Sequence, residues 1–381
     1  MSVVKLVSYN FRNLQEVSIN FHPDLNFVIG DNGSGKSSLL EAIFFLGHGK
    51  SFRTTKIDSL ACHDTKQFVV SVKDSKGSQL GLSRNISSGL TNIKIDGQRH
   101  NRLSELAKNI AIQIITPESF KLFFGGPKER RRFIDLGMFH VKHNFSSIWK
   151  DFNRVLKQRN ACLKQTMDNK SSNEYGTLLY WTEKFCELSI EVSNLRATYV
   201  SEIISELNIW LEILLPSLSK KVSVQFYQGW SQKNELKDVL KTNAHREINF
   251  GYSLYGAHKF DVKFLLDKKN IETQLSRGQQ KLFLLALTFA QSSFIARVNR
   301  VKPILLIDDM GAELDTNSRF ALSEAVERLN CQVIITAIEA NVLEPFLNKN
   351  DKIKYSMFHV KHGKIFEKYP DGSVLEKTEK Q

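Results

Sequence analysis

Residues 30–38 read GDNGSGKSS. Gly30, Gly35, Lys36 and Ser37 satisfy G-x-x-x-x-G-K-[ST], a loop whose backbone N–H groups cradle nucleotide phosphates. Such a loop needs a strand before it and a helix after it. Residues 3–29 supply short β-type runs, VVKLVSYNF, VSINF and LNFVIG. On the other side, SSLLEAIFFLGHG spaces Leu39, Leu40, Ile43, Phe44 and Leu46 as one buried helix face. Transporters, kinases, motors, GTPases and DNA-repair clamps all share this loop, so the rest of the chain must choose among them.

A chain of 381 residues outgrows one simple core, and two lobes are expected. At 41% hydrophobic and 24% charged it has the composition of an ordinary globular protein. Cys62, Cys162, Cys186 and Cys331 lie far apart with no C-x-x-C pair. That predicts neither a disulfide framework nor a zinc hook, and it fits a reducing cytosol. MSVVKLVSYNFRN is too short and polar for a secretory segment. No run approaches the ~18 apolar residues of a membrane span, so a cytoplasmic protein with no membrane partner is expected. The longest run, LFLLALTFA at 282–290, reads as a buried helix. The net charge of +13 favours polyanionic partners without naming one.

Between 66 and 115, turns at SKGS, ISSG and DGQ break a set of short strands. From 127 the texture becomes helical, with Pro127 suited to a first turn. Helices are expected to about 165 and from 174 to 215, with Ile148, Trp149, Phe152, Val155 and Leu156 on a packed face. A strand at KKVSVQFYQGW (220–230) and a polar helix to 247 follow, and PDGSVLEKTEKQ (370–381) reads as a frayed tail. The hexapeptide MFHVKH occurs at 138–143 and at 357–362 without similar flanks, which speaks against a repeating fold unit. One reading is a paired metal site of His140, His143, His359 and His362. Another lies in the gene: the coding ATG TTT CAC GTG AAA CAT is its own reverse complement and resembles the palindromic site of ParB partition proteins.

Hydrolysis also needs a Mg²⁺ carboxylate and a group that orients water. In KPILLIDDMGAELD the run Ile304–Ile307 reads as a buried strand ending in Asp308 and Asp309. Asp308 would sit beside Ser37 and the metal, and Asp309 would face the attacking water; the plainer reading is two acids capping a strand. LSRGQQK (275–281) opens an apolar helix, where Ser276 and Gly278 offer a hydroxyl, free N–H groups and a positive dipole end.

Loop, LSxGQ signature, apolar strand with paired acids and ELD (313–315) follow the order of ABC-type ATPases. Within that superfamily the chain resembles the RecF recombinational-repair family over nearly its whole length. The residues that carry the likeness are FRN (11–13), GDNGSGKSS, LGHGKSFR (46–53), IDG (95–97), ITPESFKLFFGGPKERRRFID (115–135), LKQRNA (156–161), GAHKFD (256–261), LSRGQQK and IDDMGAELD. Phe123 and Ala257 depart from an expected aliphatic residue and proline. Asp309 stands where most ABC ATPases carry glutamate, and Thr336 where they carry the switch histidine. RecF proteins share those last two features, which implies slow turnover.

The resemblance implies an α/β fold: an ABC-type P-loop ATPase head with a second, mainly helical lobe. The head would comprise 1–115 and 268–381, with the lobe at 116–267 and a flexible tail at 370–381. ATP and Mg²⁺ are the implied cofactors. The implied assembly is an ATP-dependent homodimer on duplex DNA near single-strand gaps, working with RecR and RecO to load RecA. The phosphate contacts would fall to Gly30, Asp31, Asn32, Gly33, Ser34, Gly35 and Lys36, and the Mg²⁺ contacts to Ser37 and Asp308. Asp309 would polarise water. Ser276, Arg277, Gly278 and Gln279 would meet the γ-phosphate across the dimer, and Asp315 would brace that interface. Gln113 is either a Q-loop residue or a plain strand residue; Arg12 and Asn13 either touch nucleotide or form a turn.

Residues 128–164 hold ten Lys/Arg against three acids. Lys128, Arg130, Arg131, Arg132, Lys150, Arg154 and Lys157 are the candidate contacts to double- or single-stranded DNA; the alternatives are a solvated helix face and, for Arg130 or Arg131, pairing with acids inside the fold. Base readout is not expected, for no recognition-helix or zinc-finger pattern is present. An SMC/Rad50-like chromosome ATPase would need a longer middle segment with a hinge. An ABC transporter subunit would need a shorter insert than the 240 positions between Lys36 and Ser276.

Overall fold

The computed structural model describes residues 2–120, 126–142, 144–168, 172–299, 301–309, 314–347 and 354–368. The chain divides into two compact units: Met1–Ser119, Ile213–Leu215 and Arg277–Gln381 form the first, and Phe120–Glu212 and Pro216–Ser276 the second.

Among the described residues of the first unit there are two six-stranded sheets. One is antiparallel, ordered β2-β1-β4-β5-β6-β7, from β1 (Val3–Phe11), β2 (Leu14–Asn20), β4 (Gln67–Asp74), β5 (Gln79–Asn85), β6 (Thr91–Ile95) and β7 (Gln98–His100). The other is ordered β15-β14-β3-β13-β12-β8, from β3 (Leu25–Ile29), β8 (Ile112–Ile115), β12 (Ile304–Ile307), β13 (Gln332–Ala337), β14 (Tyr355–Lys361) and β15 (Lys364–Lys368). All neighbours in it are parallel except the β14–β15 hairpin. Strands β3, β12 and β13 are buried at every residue, as parallel strands covered on both faces must be. Strand β1 alternates instead, because only one face of its sheet meets the core.

Helix α1 (Lys36–His48) follows β3 through the glycine loop and shares one core with side chains of both sheets. Eleven of its thirteen residues are buried, so its apolar residues run all round rather than in one stripe. The β-rich stretch expected up to 115 also contains a short helix, α2 (Leu103–Asn109).

The second unit is mainly helical: α3 (Pro127–Val141), α4 (Phe145–Asp168), most of α5 (Ser172–Leu214), α6 (Leu236–Thr242) and α7 (Ala244–Phe250). Strands β9 (Val222–Tyr227), β10 (Asp261–Leu266) and β11 (Lys269–Asn270) make a small antiparallel sheet. The single polar helix expected before 247 is two short helices parted at Asn243. Phe145, Trp149, Phe152 and Phe185 stack in series, with centroids 5.3–6.1 Å apart. Guanidinium groups fill the gaps between such rings. Arg196 is fully buried, with Cζ 3.7 Å from the Phe260 centroid and 4.8 Å from that of Trp149.

Helix α8 (Arg277–Asn299) is long and apolar enough to cross a membrane, but 72% of its most apolar window is buried inside the protein. It serves as a core helix. Helix α9 (Thr316–Arg328) and the short α10 (Glu344–Leu347) complete the first unit.

Candidate nucleotide site

Strand β3 hands the chain to the loop at Gly30, whose φ is +151°. A Cβ there would lie 2.3 Å from the Val360 carbonyl oxygen, so only glycine lets the loop run against β14. Gly33 and Gly35 also have positive φ, +76° and +122°, and Gly35 caps α1. The loop is pinned from outside. Gly363 N–H, in the β14–β15 turn, donates to Ser34 O at 2.8 Å. Asn13 Nδ2 donates to the carbonyls of Gly33 and Ser34 at 3.4 and 3.3 Å. Asn13 therefore meets the loop itself. Arg12 instead donates twice to the fully buried Glu41, at 2.9 Å each, and to Ser59 O at 3.0 Å.

Lys36 Nζ curls back to donate to Gly30 O at 2.5 Å and Asp31 O at 2.9 Å. Burial pulls its pKa down, while Asp309, Asp308 and Asp31 oppose that shift. Across the cleft, β12 ends at two aspartates. Ser37 Oγ donates to Asp308 Oδ1 at 3.1 Å, and Thr336 Oγ1 donates to the same oxygen at 2.8 Å. The parallel register Ile307↔Ile335 explains this, since it brings Thr336 level with Asp308. Asp309 N–H donates to Thr336 Oγ1 at 2.8 Å. Spacing alone pointed only to an unusual residue at 336; the register shows one hydroxyl holding both acids.

Burial pushes the Asp308 carboxyl pKa up despite its bonds to Thr336 and Ser37. Asp309 has φ +50°, a left-handed backbone uncommon for aspartate, and its Oδ1 is buried without a hydrogen-bond partner. An unpartnered buried carboxylate oxygen is costly unless something else satisfies it. Gly33, Gly35, Lys36, Ser37, Asp308 and Asp309 line one cleft of about 700 Å³, together with Arg53, Cys62 and His63, which sequence reading did not single out. The donor set fits a magnesium–nucleoside triphosphate: glycine loop and lysine for phosphates, hydroxyl and carboxylate for a hard cation.

Gln113 lies on β8, buried, with Nε2 lacking a partner. Ser276, Arg277 and Gly278 are exposed at the start of α8, and Gln279 is half-buried. Arg277, Gly278 and Gln279 do not line the 700 Å³ cleft of their own unit. Asp315 is the N-cap of α9, accepting from Ser318 N–H at 2.7 Å.

The basic series of the second unit needs a correction. Arg130 is buried and clamped by Asp261 at 2.9 and 3.0 Å and by Glu272 at 3.0 Å, so it is a structural ion pair and not a surface contact. Arg131 spends Nη1 on Phe260 O at 3.0 Å. Lys128, Arg132, Lys150, Arg154 and Lys157 are exposed. Among the described residues no group of three or more His, Cys, Asp or Glu could hold a metal ion, which leaves no support for the four-histidine site. Ala257 sits buried in a 3₁₀ turn, where its carbonyl accepts from Arg196. Phe123, His143, Glu313 and the tail at 370–381 lie outside the described residues.

The sequence profile of the RecF/RecN/SMC N-terminal domain matches residues 2–364. A DNA replication and repair protein RecF of Colwellia psychrerythraea is 65% identical over 373 residues, covering 96% of this chain and 97% of that protein. The protein of the same name from Pseudoalteromonas translucida is 38% identical over 370 residues, covering 96% and 99%. Among solved structures, the recombination mediator protein RecF with ATP, of the RecFOR pathway, superposes with a TM-score of 0.82 at 22% identity, covering 96% and 97%. An Smc head bound to the C-terminal winged-helix domain of ScpA gives 0.55 at 16% identity, covering 99% of each chain. The two structural likenesses establish the fold.

Proposed function

Because this chain belongs to the RecF family of DNA replication and repair proteins, we propose that it is an ATP-driven switch that closes as a homodimer on duplex DNA near single-strand gaps. Its partners in loading RecA would be RecR and RecO. The observation that carries this reading is the convergence of Lys36, the Ser37–Asp308 contact and the unpartnered Asp309 oxygen in one cleft.

In the bound state the loop N–H groups of 31–36 and the Lys36 ammonium hold the β- and γ-phosphates. Lys36 leaves its two loop carbonyls to do so, and the phosphate charge restores the pKa that burial depresses. Ser37 and Asp308 would hold Mg²⁺, which would supply neutralisation of the phosphate charge. Thr336 keeps the Asp308 oxygen turned toward Ser37 and fixes the backbone of Asp309. The free carboxylate oxygen of Asp309 accepts from the attacking water. Aspartate is one carbon shorter than glutamate, so water is held less closely and hydrolysis is slow.

The signature residues Ser276, Arg277, Gly278 and Gln279 cap the γ-phosphate of a second copy, and Asp315, besides capping α9, braces that contact. Arg277–Gln279 standing apart from their own unit's cleft supports this division of labour. Sedimentation tests it. Wild-type protein is expected to dimerise with ATP·Mg²⁺, more so with a gapped duplex. Ser276→Arg should bind ATP as a monomer and not dimerise; a dimer that persists in this variant rejects the shared site.

A further inference from the structure

The second unit carries a pair of exposed rings that the nucleotide cycle does not use. Helix α7 ends at Phe250, and Gly251 (φ +69°) turns the chain so that Tyr252 follows on the same outer surface. Phe250 is 52% exposed and Tyr252 44% exposed. Their centroids are 5.8 Å apart at 52°, a tilted contact in which neither ring stacks on the other, and a cation lies over one face of each, so a base would stack on the opposite face. Each ring has a cation beside it: Arg246 Cζ lies 6.0 Å from the Phe250 centroid and Lys259 Nζ 5.7 Å from that of Tyr252. Between 241 and 264 the only acids are Glu247 and Asp261, and both are buried against Arg159 and Arg130.

A second observation joins the first. A Cβ at Gly251 would touch the Lys164 Cα and Cβ at 3.8 Å, so the rings flank the last basic residue of α4. Lys150, Arg154, Lys157 and Lys164 are all exposed on α4. At 100° and 1.5 Å per residue they fall within about 80° of its circumference and span about 21 Å. The nearest acid on that helix, Asp151, pairs with Arg154 at 3.1 Å. A cationic track therefore leads to an aromatic pair that carries cations of its own.

We propose that this surface holds single-stranded DNA, with phosphates along the α4 track and unpaired bases stacked on Phe250 and Tyr252. The inference rests on the DNA-binding reading above and adds to it a site and a preference for the unpaired strand. Bases in a duplex are stacked on each other and present no face to a protein ring, whereas an unpaired base does. A protein partner fits less well, because protein interfaces are depleted in the lysines that dominate here.

Fluorescence anisotropy with oligo(dT) and with a blunt duplex of equal length tests the assignment. Phe250→Ser/Tyr252→Ser is expected to lose at least about tenfold in oligo(dT) affinity while keeping duplex affinity to about twofold. Phe250→Tyr/Tyr252→Phe should restore oligo(dT) binding. Lys157→Gln should lower the salt dependence for oligo(dT) by about 0.7 of a logarithmic unit. Unchanged oligo(dT) binding by the serine variant overturns the platform, and so does an equal loss on both ligands. Wild-type protein that binds neither ligand overturns the DNA reading and the platform together.

Discussion

Both units bury charge, and the nucleotide cleft of the sheet unit treats it unlike the helical unit, although Arg12 and Glu41 form a closed pair beside that cleft. In the helical unit every buried guanidinium is closed off. Arg196 meets Asp135 at 2.9 and 3.0 Å and Ala257 O at 2.6 Å; Arg159 meets Glu247 and Ser253; Arg130 meets Asp261 and Glu272. In the sheet unit, the Lys36 ammonium rests on two backbone carbonyls, Asp308 is desolvated, and one oxygen of Asp309 has no partner on a left-handed backbone. Closed pairs fix how helices and turns meet and have no capacity left for a ligand. Open groups raise the energy of the fold locally and reserve that energy for whatever completes them. The same residue types thus mark architecture in one place and chemistry in another.

Cutting one charge from each unit gives the largest effects. Arg196→Met strands Asp135, whose burial already raises its pKa, and should cost about 3–5 kcal/mol of stability. Arg196→Met/Asp135→Leu should recover most of that. The four tryptophans, Trp149, Trp181, Trp210 and Trp230, all lie in the helical unit, so urea unfolding followed by their emission reads it directly. Lys36→Ala, by contrast, strands no opposite charge and should cost nucleotide-free stability only about 1 kcal/mol, for the hydrogen bonds it gives up. What it removes is ligand stabilisation, about 2.7 kcal/mol at a hundredfold excess over Kd. If Arg196→Met unfolds no more easily than wild type, the distinction between closed and open charge fails.

The two copies of MFHVKH show how far sequence reading reaches. In the first copy, Met138–Val141 finish helix α3, burying Met138, His140 and Val141; at 357–362 it is strand β14 and its turn, burying Met357, Phe358 and Val360. One string satisfies both periods, and neighbours decide which is used. The phosphate loop was legible because its chemistry is local: glycines at fixed offsets, then lysine and serine. Asp308 was legible because an apolar strand led to it. Arg130 stood both among the DNA contacts and as a possible inward pair, since a run of three arginines does not say which one turns inward; Asp261 and Glu272, more than a hundred positions away, settle that. The family pattern marked position 336 but not its bonds to both aspartates, which come from strand register, and Arg53 reaches the site only through its loop path.

Acid separates the units more gently. Burial pulls His140 and His258 in the helical unit down to about 4. His258 Nε2 donates to Ser253 O at 3.0 Å, a bond that favours the protonated ring and opposes the shift without overcoming burial. Between pH 6.5 and 4 the unfolded chain binds protons that these folded histidines refuse, so stability falls as pH falls. Each should contribute a slope of up to about 1.4 kcal/mol per pH unit in that window. Tryptophan-detected urea titrations at stepped pH should show it, and His140→Gln/His258→Gln should flatten it. A slope unchanged in the double variant would assign the acid sensitivity elsewhere.

The smallest expected effect asks whether one carboxylate can belong to both classes. Asp315 is exposed, and its pKa is held low by the Ser318 N–H it accepts, so within its own chain it is a cap and nothing more. Asp315→Ala should cost about 1 kcal/mol, as loss of a helix N-cap does. Asn accepts the same bond, so Asp315→Asn should return that stability in urea unfolding. If Asp315 also braces the proposed ATP-dependent dimer, Asp315→Asn should still weaken that dimer in sedimentation, because the charge assigned to the brace is gone. Equal dimer strength in wild type and Asp315→Asn would place Asp315 wholly among the closed groups, with no duty beyond its own helix.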